Sequence, residues 1–144
     1  MTANLILLLN FSATVFMTGL VWFVQVIHYP LYLKIKSGFV DYELMHTRLT
    51  SRLTAPVMLI EMITTILMWW QWPSFYVLNI VISFLLLVIW ISTFLVQIPL
   101  HNKLCKAQDE MNCNRLVKSN WIRTIAWTVK SIILSIYFIE LAML

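Results

Sequence analysis

FYVLNIVISFLLLVIWISTFLVQIPL, from Phe75 to Leu100, runs for 26 residues without an aspartate, glutamate, lysine or arginine. A helix of that length rises about 39 Å, more than the roughly 30 Å of a bilayer's hydrocarbon core. Its apolarity is continuous rather than alternating, which favours a helix over the short strands of a membrane barrel. Three further charge-poor windows, at about 4–33, 55–72 and 119–144, accompany it. Composition agrees: 61% hydrophobic residues, 11% charged and two glycines in 144 residues describe an integral membrane protein, not a soluble domain. The expected fold is all-α, an integral membrane four-helix bundle forming one transmembrane domain over residues 1–144.

The first window is read as a helix rather than a signal peptide. It lacks a basic leader, and its apolar stretch is far longer than the roughly 7 to 15 residues such peptides use. Lys34, Lys36, Arg48 and Arg52 then fall between the first two spans, and Lys103, Lys106, Arg115 and Lys118 between the last two. Both basic connections belong on one side. The positive-inside rule makes that side cytoplasmic and puts both termini outside, as expected for a bacterial inner membrane. The net charge of +4 therefore reflects topology, and no nucleic-acid partner is expected. The expected partners are the lipid bilayer and a lipophilic small molecule, and nothing in the sequence argues against a homo-oligomer.

Between the first two spans, Leu44, Met45, Leu49 and Leu53 alternate with Asp41, Glu43, Arg48 and Arg52. That pattern predicts an interfacial amphipathic segment with its charges in water. Pro56 is placed in the first turn of the second helix, and Pro30 is expected to kink or end the first. The exit His28-Tyr-Pro30-Leu-Tyr32-Leu-Lys34 aligns with Gln97-Ile-Pro99-Leu-His101-Asn-Lys103 at an offset of 69 residues. This suggests two parallel helical-hairpin repeats.

Polar residues inside such helices mark the candidate site. Gln25 and His28 share a face of the first helix, and Gln97 and His101 share one on the third. Glu61 lies about 7.5 Å of helix rise beyond Pro56, and Asn120, Arg123, Trp127 and Lys130 form one stripe on the fourth helix. Ionisable groups within a membrane cost several kcal/mol unless paired or hydrated, so by default they face the bundle interior. Singly, each has an ordinary explanation: interfacial histidines bonded to carbonyls, an Arg123 that snorkels, Glu61 locked to Arg123 or Lys130, and amides as interhelical glue. Their shared depth and side favour a pocket.

Within it, His28, His101 and Arg123 are the expected catalytic residues. Gln25, Gln97, Asn120 and Trp127 are expected to bind substrate. His28, His101, Glu61 and His46 form a candidate metal set for iron, copper or zinc, and two facing histidines suit haem. No spacing here is a diagnostic metal motif. Cys105 and Cys113 read as free thiols, and neither glycine belongs to a phosphate-binding loop.

Gln97-Ile-Pro99-Leu100-His101-Asn102-Lys103-Leu104 followed by Asn120-Trp121-Ile122-Arg123-Thr124 resembles the helix exit and entry of the small four-helix anthrone-oxygenase-like membrane proteins. The likeness covers about the last third of the chain, and His101 stands where that pattern has asparagine. The family is mostly uncharacterised bacterial members plus fungal proteins linked to oxidation of polycyclic phenolic ketones, and the resemblance implies an oxidoreductase acting on a lipophilic substrate, with Asn120 and Arg123 in the pocket. A membrane oxidoreductase or oxygenase is thus the expected function. The alternatives are a carrier or proton pathway through Glu61 and Lys130, which needs access from both sides, and a scaffold subunit with a dry, fully paired interior.

Overall fold

The computed structural model describes the backbone of residues 2–142 and the side chains of residues 4–140. Four helices, each long and apolar enough to cross a membrane, make up the chain: α1 (Asn4–Lys34), α2 (Phe39–Gln71), α3 (Pro73–Leu104) and α4 (Glu110–Glu140). The protein is an all-α, integral membrane four-helix bundle. α1 packs along α2 and α4, and α3 packs along α4. The expected end of the fourth span at residue 144 lies outside the described residues.

The helices are longer than the expected spans. At 31–33 residues each rises about 46–50 Å, so about 15–20 Å projects beyond a hydrocarbon core. The projecting end is the basic one. Trp22 and Trp121 meet edge to face at 5.6 Å, both part-exposed, and mark the membrane boundary there. Exposed Trp69, Trp70 and Tyr76 mark the other.

The separate interfacial segment does not exist. α2 is one helix from Phe39, and Pro56 lies inside it rather than in a first turn. The segment continues the helix because its inward residues stay in phase with those beyond the proline. Phe39, Glu43, Met58, Glu61 and Thr65 are all buried on one face. The proline forfeits one backbone bond, the one to the Arg52 carbonyl, which lies about 13 Å of helix rise from Glu61 and so near the level of the boundary. Gly38, with φ of 72°, supplies the left-handed turn before α2.

Pro30 and Pro99 neither end nor break their helices. Each follows a five-residue π-helical turn, Val24–His28 in α1 and Thr93–Gln97 in α3. The amides of Tyr29 and Ile98 reach back to the carbonyls of Val24 and Thr93. The wider turn relieves the clash between a proline ring and the carbonyl four residues earlier. The two turns are 69 residues apart, the offset at which Pro30 and Lys34 match Pro99 and Lys103 and at which buried Asn10 matches buried Asn79. The hairpins thus share a backbone irregularity as well as a sequence pattern.

Three apolar layers fill the bundle. An outer one includes Leu7, Met68 and Leu134; a middle one Met17, Met58 and Trp127; and a basic-end one Tyr29, Leu104 and Leu116. Between the outer and middle layers lies a fully buried ion pair, Lys130 Nζ to Glu61 Oε1 at 2.7 Å. Thr14 donates to Glu61 Oε1 at 2.8 Å and the Trp127 indole to Oε2 at 3.1 Å. Asn10 donates to the Glu61 carbonyl at 3.0 Å and to Thr64 at 2.8 Å. The α2 carboxylate is held from α1 and α4 at once.

Removing one partner of such a pair typically costs about 3–5 kcal/mol, because a buried charge is left alone. Lys130→Met should therefore lower the unfolding free energy in mild detergent by that order. Glu61→Met combined with Lys130→Met should recover most of the loss, as a denaturant titration followed by circular dichroism will show.

Candidate functional site

The polar layer between the middle and basic-end apolar layers differs from the first: it surrounds a cavity of about 260 Å³. α2 and α3 are joined by a tight turn at the far end of the bundle and line opposite walls of this cavity. Thr50, Ser51 and Thr54 come from α2, and Thr93, Gln97 and Ile98 from α3. Exposed Ser51, Ile98 and Asn102 sit at its mouth. Its lining reaches Met17 and Met58, one helical turn short of Glu61. The cavity is thus apolar at its inner end and polar toward the basic side of the membrane.

The polar wall is built by the π turn of α3 and the start of the membrane part of α4. Gln97 donates to Ser119 Oγ at 3.0 Å. Asn120 donates to Gln25 Oε1 at 3.0 Å, and Gln25 in turn donates to the Val117 carbonyl at 3.1 Å. Gln97 and Asn120 are 1% and 0% exposed, yet Gln97 Oε1 and Asn120 Oδ1 find no partner. Both residues line the cavity. Arg123, half-buried, lines it too. Its guanidinium lies over the Trp127 ring at 5.2 Å, its Nε is unpartnered, and among the described residues no carboxylate pairs with it. Arg123 stands about 3 Å of rise inward from the boundary residue Trp121, a cation in the cavity wall with no counter-charge among the described residues.

Next to Arg123 stands a hydrogen-bonded series. The Tyr29 hydroxyl and His101 Nε2 are 3.0 Å apart, and His101 Nδ1 is bonded to the Glu43 carboxylate. Tyr29 and His101 line the cavity, and Glu43, fully buried, supports His101 from behind. This orients one imidazole between an acid and a phenol, the arrangement that lets a histidine pass a proton in either direction.

The structure gathers the three histidines. The His28 and His46 rings are 4.3 Å apart, and those of His46 and His101 are 5.7 Å apart. The carboxylate beside them is Glu43, which the sequence placed in water, and not Glu61, whose two oxygens serve Lys130, Thr14 and Trp127. The expected metal set is therefore not assembled. Among the described residues no three His, Cys, Asp or Glu side chains are placed to hold a metal ion. The reason is visible in the bonding. Both nitrogens of His101 are taken, His28 Nδ1 faces the Tyr42 hydroxyl at 3.4 Å, and His46 Nδ1 faces Thr50 at 3.2 Å. For a haem pair, His101 has neither nitrogen free, whereas His28 Nε2 has no partner.

Of the expected catalytic residues, His101 and Arg123 line the cavity and His28 does not; of the expected binding residues, Gln97 and Asn120 do. Gln25 acts one step back through Asn120. Trp127 is fully buried and committed to Glu61 and Arg123. Sequence reasoning missed Glu43 and Tyr29. The helical phase of Phe39, Glu43, His46 and Thr50, running on to Met58, was the signal that would have turned Glu43 inward. Cys105 and Cys113 are free thiols outside this site.

Compared with protein-family models, curated proteins and solved structures, the chain has no significant match.

Arg123 and Lys130 lie two turns apart on one helix, but only Lys130 is paired. Arg123→Met should leave unfolding stability unchanged or raise it by up to about 2 kcal/mol, as stabilising changes at functional positions commonly do. The same substitution at Lys130 should lower it, and parallel denaturant titrations will separate the two.

Proposed function

We propose that this protein is a membrane-embedded oxidoreductase of the oxygenase type, taking a lipophilic small molecule from the bilayer into the cavity between α2 and α3. The observation that carries this reading is Arg123, a cation in the cavity wall with no counter-charge, beside the Tyr29–His101–Glu43 series. The resemblance of Gln97–Leu104 and Asn120–Thr124 to anthrone-oxygenase-like proteins supplies the substrate class, a polycyclic phenolic ketone. A methylene flanked by aromatic rings and conjugated with a carbonyl is acidic. Tyr29, relayed through His101 to Glu43, takes its proton, and Arg123 meets the charge that develops on the enolate oxygen. Dioxygen is the oxidant: the methylene and one O₂ give a carbonyl and one water, so no further reductant is required. Gln97 Oε1 and Asn120 Oδ1 accept from the substrate's phenolic hydroxyls.

Two other readings have less support. A proton path through Glu61 and Lys130 would start from a pair whose polar atoms already have partners and which the cavity does not reach. A pure scaffold has no use for an uncompensated Arg123. The basic end is taken as cytoplasmic, by the charge distribution of the two basic connections, in a bacterial inner membrane.

Purified protein in detergent, given a hydroxylated anthrone, should consume dioxygen above the spontaneous rate and release the quinone. Arg123→Met and His101→Ala should each lower that excess by about 100-fold or more. A rate no higher than the protein-free control would overturn the oxygenase reading. For orientation, an impermeant maleimide applied to intact cells should label Ser74→Cys and spare native Cys105.

A further inference from the structure

A second concavity lies on the opposite flank of the bundle, between α3 and α4 at the basic end. Its floor is apolar, from Leu95, Val96 and Pro99, and its rim carries Lys103, Arg115 and Lys118. It is about 500 Å³ in volume and open to the outside. All three cations are exposed, and among the described residues none is ion-paired, since the two recorded pairs are His101–Glu43 and Lys130–Glu61. No acidic side chain lines it. Asp109 and Glu110 line a neighbouring concavity on the far side of Arg115 and Lys118, and Asp109 is engaged by Asn112 and the Met111 amide.

Its depth decides what fits. Lys118 stands one helical turn outward from the boundary residue Trp121, and Arg115 one turn further, about 4.5 Å of rise per step. Leu95, 72% exposed, faces the acyl region. The cations thus lie at headgroup level and the apolar floor reaches into the leaflet. A phosphate at Lys118 and another at Arg115, with Lys103 facing both from α3, would be spaced along the rim. We propose that this groove binds one anionic phospholipid of the basic-side leaflet, with a head that carries two phosphates, its acyl chains lying against Leu95, Val96 and Pro99. Basic pockets between membrane helices suit such heads because several cations at the interface gain from two charges held on one lipid. The groove is separate from the α2–α3 cavity, so this site stands whatever the substrate of that cavity is.

Native mass spectrometry of the detergent-solubilised chain, titrated with diphosphatidylglycerol, phosphatidylglycerol or phosphatidylcholine, tests this. One diphosphatidylglycerol should be retained at concentrations at least tenfold below those needed for phosphatidylglycerol, and inorganic pyrophosphate should not displace it. The triple variant Lys103→Gln, Arg115→Gln, Lys118→Gln should lose that preference. A control removing the same charge elsewhere, Lys34→Gln, Lys36→Gln, Arg48→Gln, should keep it. Equal loss in both triples, equal retention of phosphatidylglycerol, or displacement by pyrophosphate would overturn the proposal. Should the triple variant fail to fold by circular dichroism, Lys118→Gln alone carries the test: a weakening of about threefold or more supports the site, and unchanged retention overturns it.

Discussion

The ion pair between Glu61 and Lys130 sets the register of the bundle. It lies nine residues, about 13 Å of rise, inward from Trp121, near the middle of the membrane, where neither charge is exposed. An isolated charge there costs several kcal/mol, so α2 and α4 are tied to the one alignment that brings Nζ to the carboxylate. Thr14 and Asn10 bring α1 into the same alignment. With three helices fixed at this level, the residues one to three turns toward the basic end have no freedom to slide. Met17 and Met58 close the floor of the cavity because Glu61 and Lys130 are where they are.

That constraint separates two polar layers that look alike in the sequence. In the deep layer the polar side chains work on one another: the carboxylate accepts from lysine, threonine and tryptophan, and little is left over. In the layer above it, the amides of Gln25, Gln97 and Asn120 brace the helices with one end and leave acceptor atoms free at the other. Orphaned polar atoms cost stability, and an unpaired guanidinium costs more. A bundle that satisfies its deep carboxylate from three donors yet leaves Arg123 open has its expensive groups concentrated where a ligand would pair them.

Much of the fold was legible in the sequence because hydropathy is a direct readout of the solvent each segment meets. The four spans and the shared side of the basic connections follow from it. The stretch from residue 34 to 54 was harder, since charge density argues for water while helical phase argues for continuation. Phase won: Asp41, Arg48 and Arg52 point out, and Glu43 and Thr50 point in, on one unbroken helix. The polar residues of the site were legible one by one, but their partners were not. Glu61 and Glu43 are 18 residues, or five turns, apart on the same face of α2, and nothing local distinguishes which meets a lysine and which meets a histidine. Only the register fixed by the deep pair assigns them.

The two π turns show why spacing alone misled the reading of the histidines. A π turn adds a residue to one turn of helix, and so rotates everything after it by roughly a quarter turn relative to a regular helix. In α3 the turn ends at Gln97, and His101 follows it, swung toward Glu43 and Tyr29. In α1 the turn spans Gln25 and His28, so the two residues expected to share a face part company: Gln25 stays in the helix-bracing layer, and His28 is carried round to Tyr42 and His46. The repeat therefore places the same irregularity in both halves with different results. In one half it delivers a histidine to the cavity wall. In the other it delivers Tyr29, the next residue along, whose hydroxyl completes the hydrogen-bonded series through His101 to Glu43.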